Sequence, residues 1–255
     1  MDEFRFLKFE THDAYTNMAM DEAIMLSLEA GRVPPTFRLY RWKPSAVSIG
    51  TFQGMTTEVD IEYCKKKGVS TVRRLTGGGA VYHDYEGEVT YSIIIPKDHR
   101  LAPRDIAESY RVLCGGVISA LAKLGLSSSF QPINDILVEK KKISGNAQTR
   151  RHSCLLQHGT VLVRLDVEAM FSVLKVHPVK ISDKVVTDVK QRVTSISDAL
   201  SRRVSLEEVA RAMEKGFSEA LGIKLVPGKL TSEEEADVEH LVKTKYSTDS
   251  WNLLR

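Results

Sequence analysis

The sequence predicts an α+β fold: mixed sheets flanked by helices, followed by a small helical unit. Three observations carry this prediction. Stretches of alternating apolar residues recur between stretches of helical period from Phe4 to Leu165. The segment "EVTYSIIIP" places Val89, Tyr91, Ile93 and Ile95 on one face, as a strand does. In the last third, Ser205 with Glu208 and Thr231 with Glu234 give the Ser/Thr-x-x-Glu signal that opens helices.

The elements follow in order. "FRFLKFE" alternates like a strand, and "NMAMDEAIMLSLEAG" changes to helical period and stops at Gly31. "TFRLYRW" and "SAVSIG" read as two short strands around Lys43-Pro44. After a helix in "DIEYCKKKG", the segments "STVRRL" and "AVYHD" are strands flanking three glycines. Pro103 opens a long helix that runs to Gly125, because proline suits a first turn and glycine an exit. "NDILVEKKKISGNAQ" is a hairpin turning near its lysines, and "QHGTVLVRL" is a further strand. In "SLEEVARAMEKGFSEALG", residues Leu206, Val209, Met213, Phe217 and Leu221 form one apolar face, and a final helix ends near Tyr246. With no repeat, low-complexity tract or Gly/Ser linker, the simplest partition is one domain over 1–255, with 200–255 its helical C-terminal part.

Composition narrows the function. A net charge of +3 is too small for a dedicated nucleic-acid binder, yet it leaves room for a basic surface facing acidic partners. No apolar run reaches the roughly 18 residues of a membrane span, and the charged "MDEFRFLKFE" is unlike a signal peptide, so the expected location is cytoplasmic. Cys64, Cys114 and Cys154 are odd in number and far apart, which suits neither a disulfide scaffold nor a cysteine-rich metal site.

Two stretches can carry chemistry. In "RRLTGGGAVYHD", Gly77, Gly78 and Gly79 remove side chains where something bulky approaches the backbone, and they expose N–H groups to an anion. The pattern is neither a Walker loop nor a dinucleotide fingerprint; the residues leave ligand contact and an unusual hairpin both open. Alternation along the strand puts one of Arg73 and Arg74 on the glycine side, where a guanidinium suits a carboxylate or phosphate. Adjacent His83 and Asp84 point to opposite faces of a strand, so they are expected to serve backbone and turn rather than to form a dyad. In the second stretch, Lys142 precedes Ile143, Ser144 and Gly145, small enough for the lysine to turn inward as a fixed positive charge, although a lysine run is usually solvated. Asn134 and Asp135 suit a magnesium ion or an ordinary turn, and His158 with Gly159 suits a pocket wall or a structural histidine.

The order and spacing of "RRLTGGGAVYHD", "NDILVEKKKISGNAQ" and "QHGTVLV" resemble the lipoate–protein ligase family, related to biotin ligases and octanoyl transferases. The likeness runs from "NMAMDEAI" and "FRLYRWKPSAVSIGTFQ" through "QRVTSI" to "KYSTDSWN". The resemblance implies a biotin/lipoate-ligase catalytic-domain fold and an enzyme that uses ATP and Mg2+ to convert lipoate to lipoyl-AMP. The lipoyl group would then pass to a lysine of acceptor domains, such as those of 2-oxoacid dehydrogenase E2 subunits and the glycine cleavage H protein. Lys142 would be the central catalytic lysine. Arg73, Arg74, the run Gly77, Gly78, Gly79, Ala80, Val81, Tyr82, His83 and Asp84, then Asn134, Asp135, Ser144, Gly145, His158, Gly159 and Thr160 would bind the nucleotide or lipoyl chain, with Asp135 at the metal. Because many such ligases carry a further small domain beyond the region of "KYSTDSWN", the resemblance also implies a separate accessory subunit.

Two alternatives accompany this expectation. One is an octanoyl transferase that moves octanoyl from acyl carrier protein through a cysteine thioester and needs no ATP. Resembling transferases place that cysteine upstream of the lysine strand, where this chain has "SSSFQPINDILV"; Cys154 lies downstream on an apolar stretch. The other is a non-catalytic carrier of lipoyl-adenylate.

Overall fold

The computed structural model describes residues 1–175 and 191–255. The chain begins with strand β1 (Asp2–His12) and helix α1 (Ala14–Glu29), whose first turn is capped by Asp13 accepting from the Tyr15 and Thr16 amides. Strands β2 (Thr36–Trp42) and β3 (Ala46–Ile49) follow, then short helix α2 (Met55–Glu58) and α3 (Ile61–Lys67). Gly68 ends α3 in the left-handed region at φ 67°, which only glycine adopts freely. Strands β4 (Ser70–Arg73), β5 (Val81–His83) and β6 (Glu88–Pro96) flank and follow the triple glycine.

Helix α4 spans Ile106–Lys123 and is capped by Asp105, so it opens three residues later than the proline signal predicts. A carboxylate that can accept from the Glu108 amide decides the start here, and Pro103 lies in the approach. Strands β7 (Ser129–Gln131), β8 (Asp135–Val138), β9 (Lys141–Arg151) and β10 (Cys154–Leu162) then form an antiparallel run, with the lysines at the β8–β9 turn as expected. Helices α5 (Val167–Val173), α6 (Ile196–Ala199) and α7 (Leu206–Leu221) lead into β11 (Ile223–Pro227). Beyond it, α8 (Ser232–Leu241) starts in a complete Thr231/Glu234 capping box, runs into a π turn at Val242–Tyr246, and is followed by α9 (Asp249–Asn252). The C-terminal part is therefore not purely helical: β11 pairs in parallel with β1 at the sheet edge.

Among the described residues, eight strands make one mixed sheet in the order β11-β1-β2-β6-β10-β9-β8-β7, and β4-β3-β5 make a second. One face of the large sheet packs on α4 and α7, burying Phe37, Tyr91, Leu113, Val117, Met213 and Phe217. Its other face packs on α1 and the C-terminal helices through Met18, Ile24, Tyr40, Trp42, Ile94 and Tyr246. The small sheet has its own core of Val47, Ile49, Met55, Val59, Cys64 and Val173. Such burial, worth about 1.5–3 kcal/mol for a large apolar side chain, holds the two sheets as the walls of a cleft. Among the described residues, no helix is long and apolar enough to cross a membrane.

Candidate active site

A cavity of about 350 Å³ lies between the small sheet and strands β9 and β10. Its walls are largely apolar, with Met18, Tyr40, Trp42, Val81, Leu162, Met170 and Val193 among them. Convergent polar groups in an apolar concavity of this size are the usual form of a small-molecule site.

The glycine loop forms one rim. Arg74 folds back beneath it, its Nη2 donating to the carbonyls of Gly77 and Gly79 at 2.8 Å each and its Nε to Thr76 Oγ1 at 3.1 Å. Burial pushes this guanidinium down to about 10, yet it remains charged at neutral pH. Gly78 sits at φ 99°, and a side chain on Gly50 would begin 2.1 Å from the Gly78 carbonyl oxygen. The loop thus needs glycine both for its own turn and for the strand end beneath it.

Of the expected binding residues, Arg74, Gly78, Gly79, Ala80, Val81, Tyr82, His83, Asp84, Asn134, Lys142, Ser144, Gly145, His158, Gly159 and Thr160 line this one cavity. Arg73, Gly77 and Asp135 do not. Arg73 as a ligand-binding group is corrected by its partners: it is wholly buried, and its guanidinium donates to the carbonyls of Thr51, Gln53, Trp251 and Asn252. The arginine that reaches the glycines is Arg74, just past the end of β4.

Lys142 lines the cavity but is not sealed from solvent; its side chain is 41% exposed and its Nζ lies 2.7 Å from Asp135 Oδ1. It lies across Gly145, where a Cβ would stand 2.9 Å from that nitrogen, and this explains the glycine three residues on. Asp135 as a magnesium ligand does not fit this arrangement. Its carboxylate is taken by Lys142, and among the described residues no three His, Cys, Asp or Glu side chains gather as a metal-binding group. Asn134 is likewise committed: its amide and that of Asn146 donate to each other's main-chain carbonyls.

His83 is not a turn residue. Its ring sits between Ser48 Oγ, 2.8 Å from Nε2, and Glu88 Oε1, 2.6 Å from Nδ1, stacked on Trp42 with ring centres 4.0 Å apart. Asp84 is the turn group, accepting from the Glu86 amide at 3.1 Å. Ser48, Glu88 and Trp42 are site residues that sequence reasoning missed; the available signal was the five-residue spacing of His83 and Glu88 around a turn.

His158 bridges a second network, with Nε2 2.8 Å from Thr76 Oγ1 and Nδ1 3.3 Å from Asp21 Oδ2. Burial works to raise Asp21, but the Arg38 guanidinium at 2.6 Å, His158 and Ser92 together hold the carboxyl below its ordinary value. Burial also pushes His158 down, against the pull of Asp21, with Arg74 and His83 adding to the depression. An unfolded histidine gains its proton near pH 6.5, whereas this one gains it only at lower pH. Its contribution is therefore complete above about pH 6.5 and is lost as pH falls through the depressed folded value. Thermal melts between pH 7.5 and 5 should show stability falling by up to about 1.4 kcal/mol per pH unit from this group, and His158→Gln should flatten that slope.

The two-sheet architecture around this cleft is that of the lipoyl protein ligase A/B catalytic domain, and the chain, matched to that description over residues 13–218, belongs to this family. Among curated relatives it is similar to the octanoyltransferase LipM of Brevibacillus brevis, 36% identical over all of both chains, and to that of Kyrpidia tusciae, 39% identical over 99% of each. Among solved structures it is similar to the chain described as a bi-partite lipoate protein ligase of Thermoplasma acidophilum, studied with its E2 lipoyl domain. That pair shares 37% identity and a TM-score of 0.89 over 99% of this chain and 97% of the other. It is also similar to a lipoate-protein ligase A bound with ATP, at 34% identity and a TM-score of 0.83, over 98% of each chain.

These likenesses correct the sequence-based expectation of function. ATP-dependent activation of lipoate to lipoyl-AMP is overturned by the curated relatives, named as octanoyltransferases and matched end to end at 32–39% identity. Those relatives are covered over 94–100% of their own length, so they give no support to an accessory subunit either. Family membership and an acyl-handling enzyme stand.

Proposed function

We propose that this chain transfers an octanoyl group from a carrier thioester to the lysine amine of an acceptor lipoyl domain. The observation that carries the reading is the largely apolar cavity lined by both Lys142 and the glycine loop, in a chain alike throughout its length to octanoyltransferases. An eight-carbon chain suits walls of Met18, Tyr40, Trp42, Val81 and Leu162. The Lys142 ammonium, steadied by Asp135, is a ready counter-charge for the carbonyl oxygen as it becomes negative. Acceptors of the E2 and H-protein type are the partners this chemistry calls for, and their acidic surfaces complement a mildly basic chain.

No cysteine serves the cavity. Cys64, Cys114 and Cys154 are all buried, and none lines it. Burial pushes the Cys64 and Cys154 thiols up to about 11 and the Cys114 thiol to about 12, far from the thiolate a nucleophile needs. Cys154→Ala is expected to retain transfer and to lose about 1 kcal/mol of stability, as a small buried hydrophobe does when trimmed.

The test is to incubate the purified chain with octanoylated acyl carrier protein and an apo lipoyl domain, following acceptor mass, and separately with ATP, Mg2+ and free acid. Octanoyl gain without ATP supports the reading. Modification that appears only with ATP and free acid overturns it.

A further inference from the structure

Moving an acyl group between two proteins is easier when it rests on a nucleophile between the partners. No thiol is placed to do this, but a hydroxyl is. Ser48 on β3 and His83 on β5 lie on neighbouring antiparallel strands, with Ser48 opposite Val81 and Ala46 opposite His83. Ser48, His83 and Glu88 all line the cavity that holds Lys142.

Their hydrogen bonds fix a direction. A carboxylate at Glu88 only accepts, so the contact of 2.6 Å places the imidazole proton on Nδ1. Nε2 is then the acceptor, and the Ser48 hydroxyl 2.8 Å away is the donor. Arg74 Nη1 donates to the same Ser48 Oγ at 3.2 Å, setting a positive charge beside the oxygen that would lose its proton. Glu88 Oε1 also accepts from Thr90 Oγ1 at 2.8 Å, and Thr90 in turn accepts from Trp42 Nε1 at 2.8 Å. Glu88 Oε2 is buried without a hydrogen-bond partner among the described residues. A group holding a base by its far nitrogen and a base holding a hydroxyl by its near one is the arrangement that activates serine in unrelated acyl-transfer enzymes.

We propose that Ser48 is the nucleophile on which the acyl group rests, with His83 as its base and Glu88 as the positioning residue; the proposal rests on the octanoyl-transfer reading above. Ser48 Oγ attacks the thioester carbonyl and its proton passes to His83 Nε2. The C–S bond breaks, the thiol leaves with that proton, and an octanoyl ester remains on Ser48. The neutral amine of the acceptor lysine then attacks the ester carbonyl and yields one proton to Nε2. The C–O bond breaks, the proton returns to Ser48 Oγ, and an amide is formed with no change of oxidation state.

The experiment uses the whole chain with octanoylated acyl carrier protein, first without acceptor, followed by acid quench and peptide mapping. The expected result is an octanoyl adduct on the peptide containing Ser48, stable to neutral hydroxylamine and discharged when apo lipoyl domain is added. Ser48→Ala should lose the adduct and at least about 1000-fold in transfer rate. Ser48→Cys, nearly isosteric, should carry the adduct as a hydroxylamine-labile thioester, so a folding defect in the alanine variant cannot mask the answer. Glu88→Gln should lower kcat far more than it changes KM and should alter the pH profile of adduct formation. An adduct on any of the three native cysteines, transfer without an adduct at Ser48, or undiminished transfer by Ser48→Ala overturns the assignment and leaves octanoyl transfer standing. Absence of any transfer by the unaltered chain overturns the transfer reading, and this assignment with it.

Discussion

Lys142→Ala is expected to lower octanoyl transfer by about 100- to 1000-fold, the usual cost of removing one fixed donor from a developing oxyanion. The fold should not register the change. The ion pair with Asp135 is half-open to solvent, and such pairs contribute about 0–1 kcal/mol. Steady-state transfer rates set beside thermal melts separate the two effects. Lys142→Arg should not restore the rate, because the amine lies folded over Gly145 in a space matched to a slender chain rather than a planar fork. A full rate in Lys142→Ala would remove this residue from the chemistry.

Arg38→Ala should have the opposite profile, a large loss of stability. Arg38 and Asp21 are each about 2% exposed at the side chain, bonded at 2.6 Å, and Arg38 also donates to the carbonyl of Asn17 at 3.1 Å and to its side-chain oxygen at 3.0 Å. Its guanidinium covers the Tyr40 ring at 4.1 Å. Breaking a buried pair from one side costs about 3–5 kcal/mol because the remaining charge is left dry. For a chain of this size the melting temperature should fall by roughly 10 °C. Adding Asp21→Asn should recover part of the loss, since the orphaned charge goes with it; a double variant no more stable than Arg38→Ala would show that packing on Tyr40 is what matters.

The parts of this structure that local chemistry determines are legible in the sequence. The hairpin around the lysines, the helix opened by Ser205, the Thr231 capping box and the large β6 strand all follow from periods and caps within a few residues. Short elements escape such reading: α2, α5, β7 and β11 offer too few residues for a period to declare itself. The site divides in the same way. Lys142, the glycines and His158 announce themselves by residue type, but the true surroundings of His83 depend on Ser48, 35 positions away on another strand. Arg73 and Arg74 are indistinguishable in sequence. Only the approach of Trp251 and Asn252, some 178 positions on, makes one structural and leaves the other to the loop.

That approach ties two distant pieces of chain together. The Arg73 amide donates to Asn252 Oδ1 at 2.8 Å, the Trp251 indole donates to the Arg73 carbonyl at 2.9 Å, and the guanidinium grips both residues' carbonyls. Hydrogen bonds shared so closely open as a unit, so amide exchange on β4 and on the final helical turn should run at one rate. The strand that leads into the glycines therefore has its local unfolding governed from the far terminus.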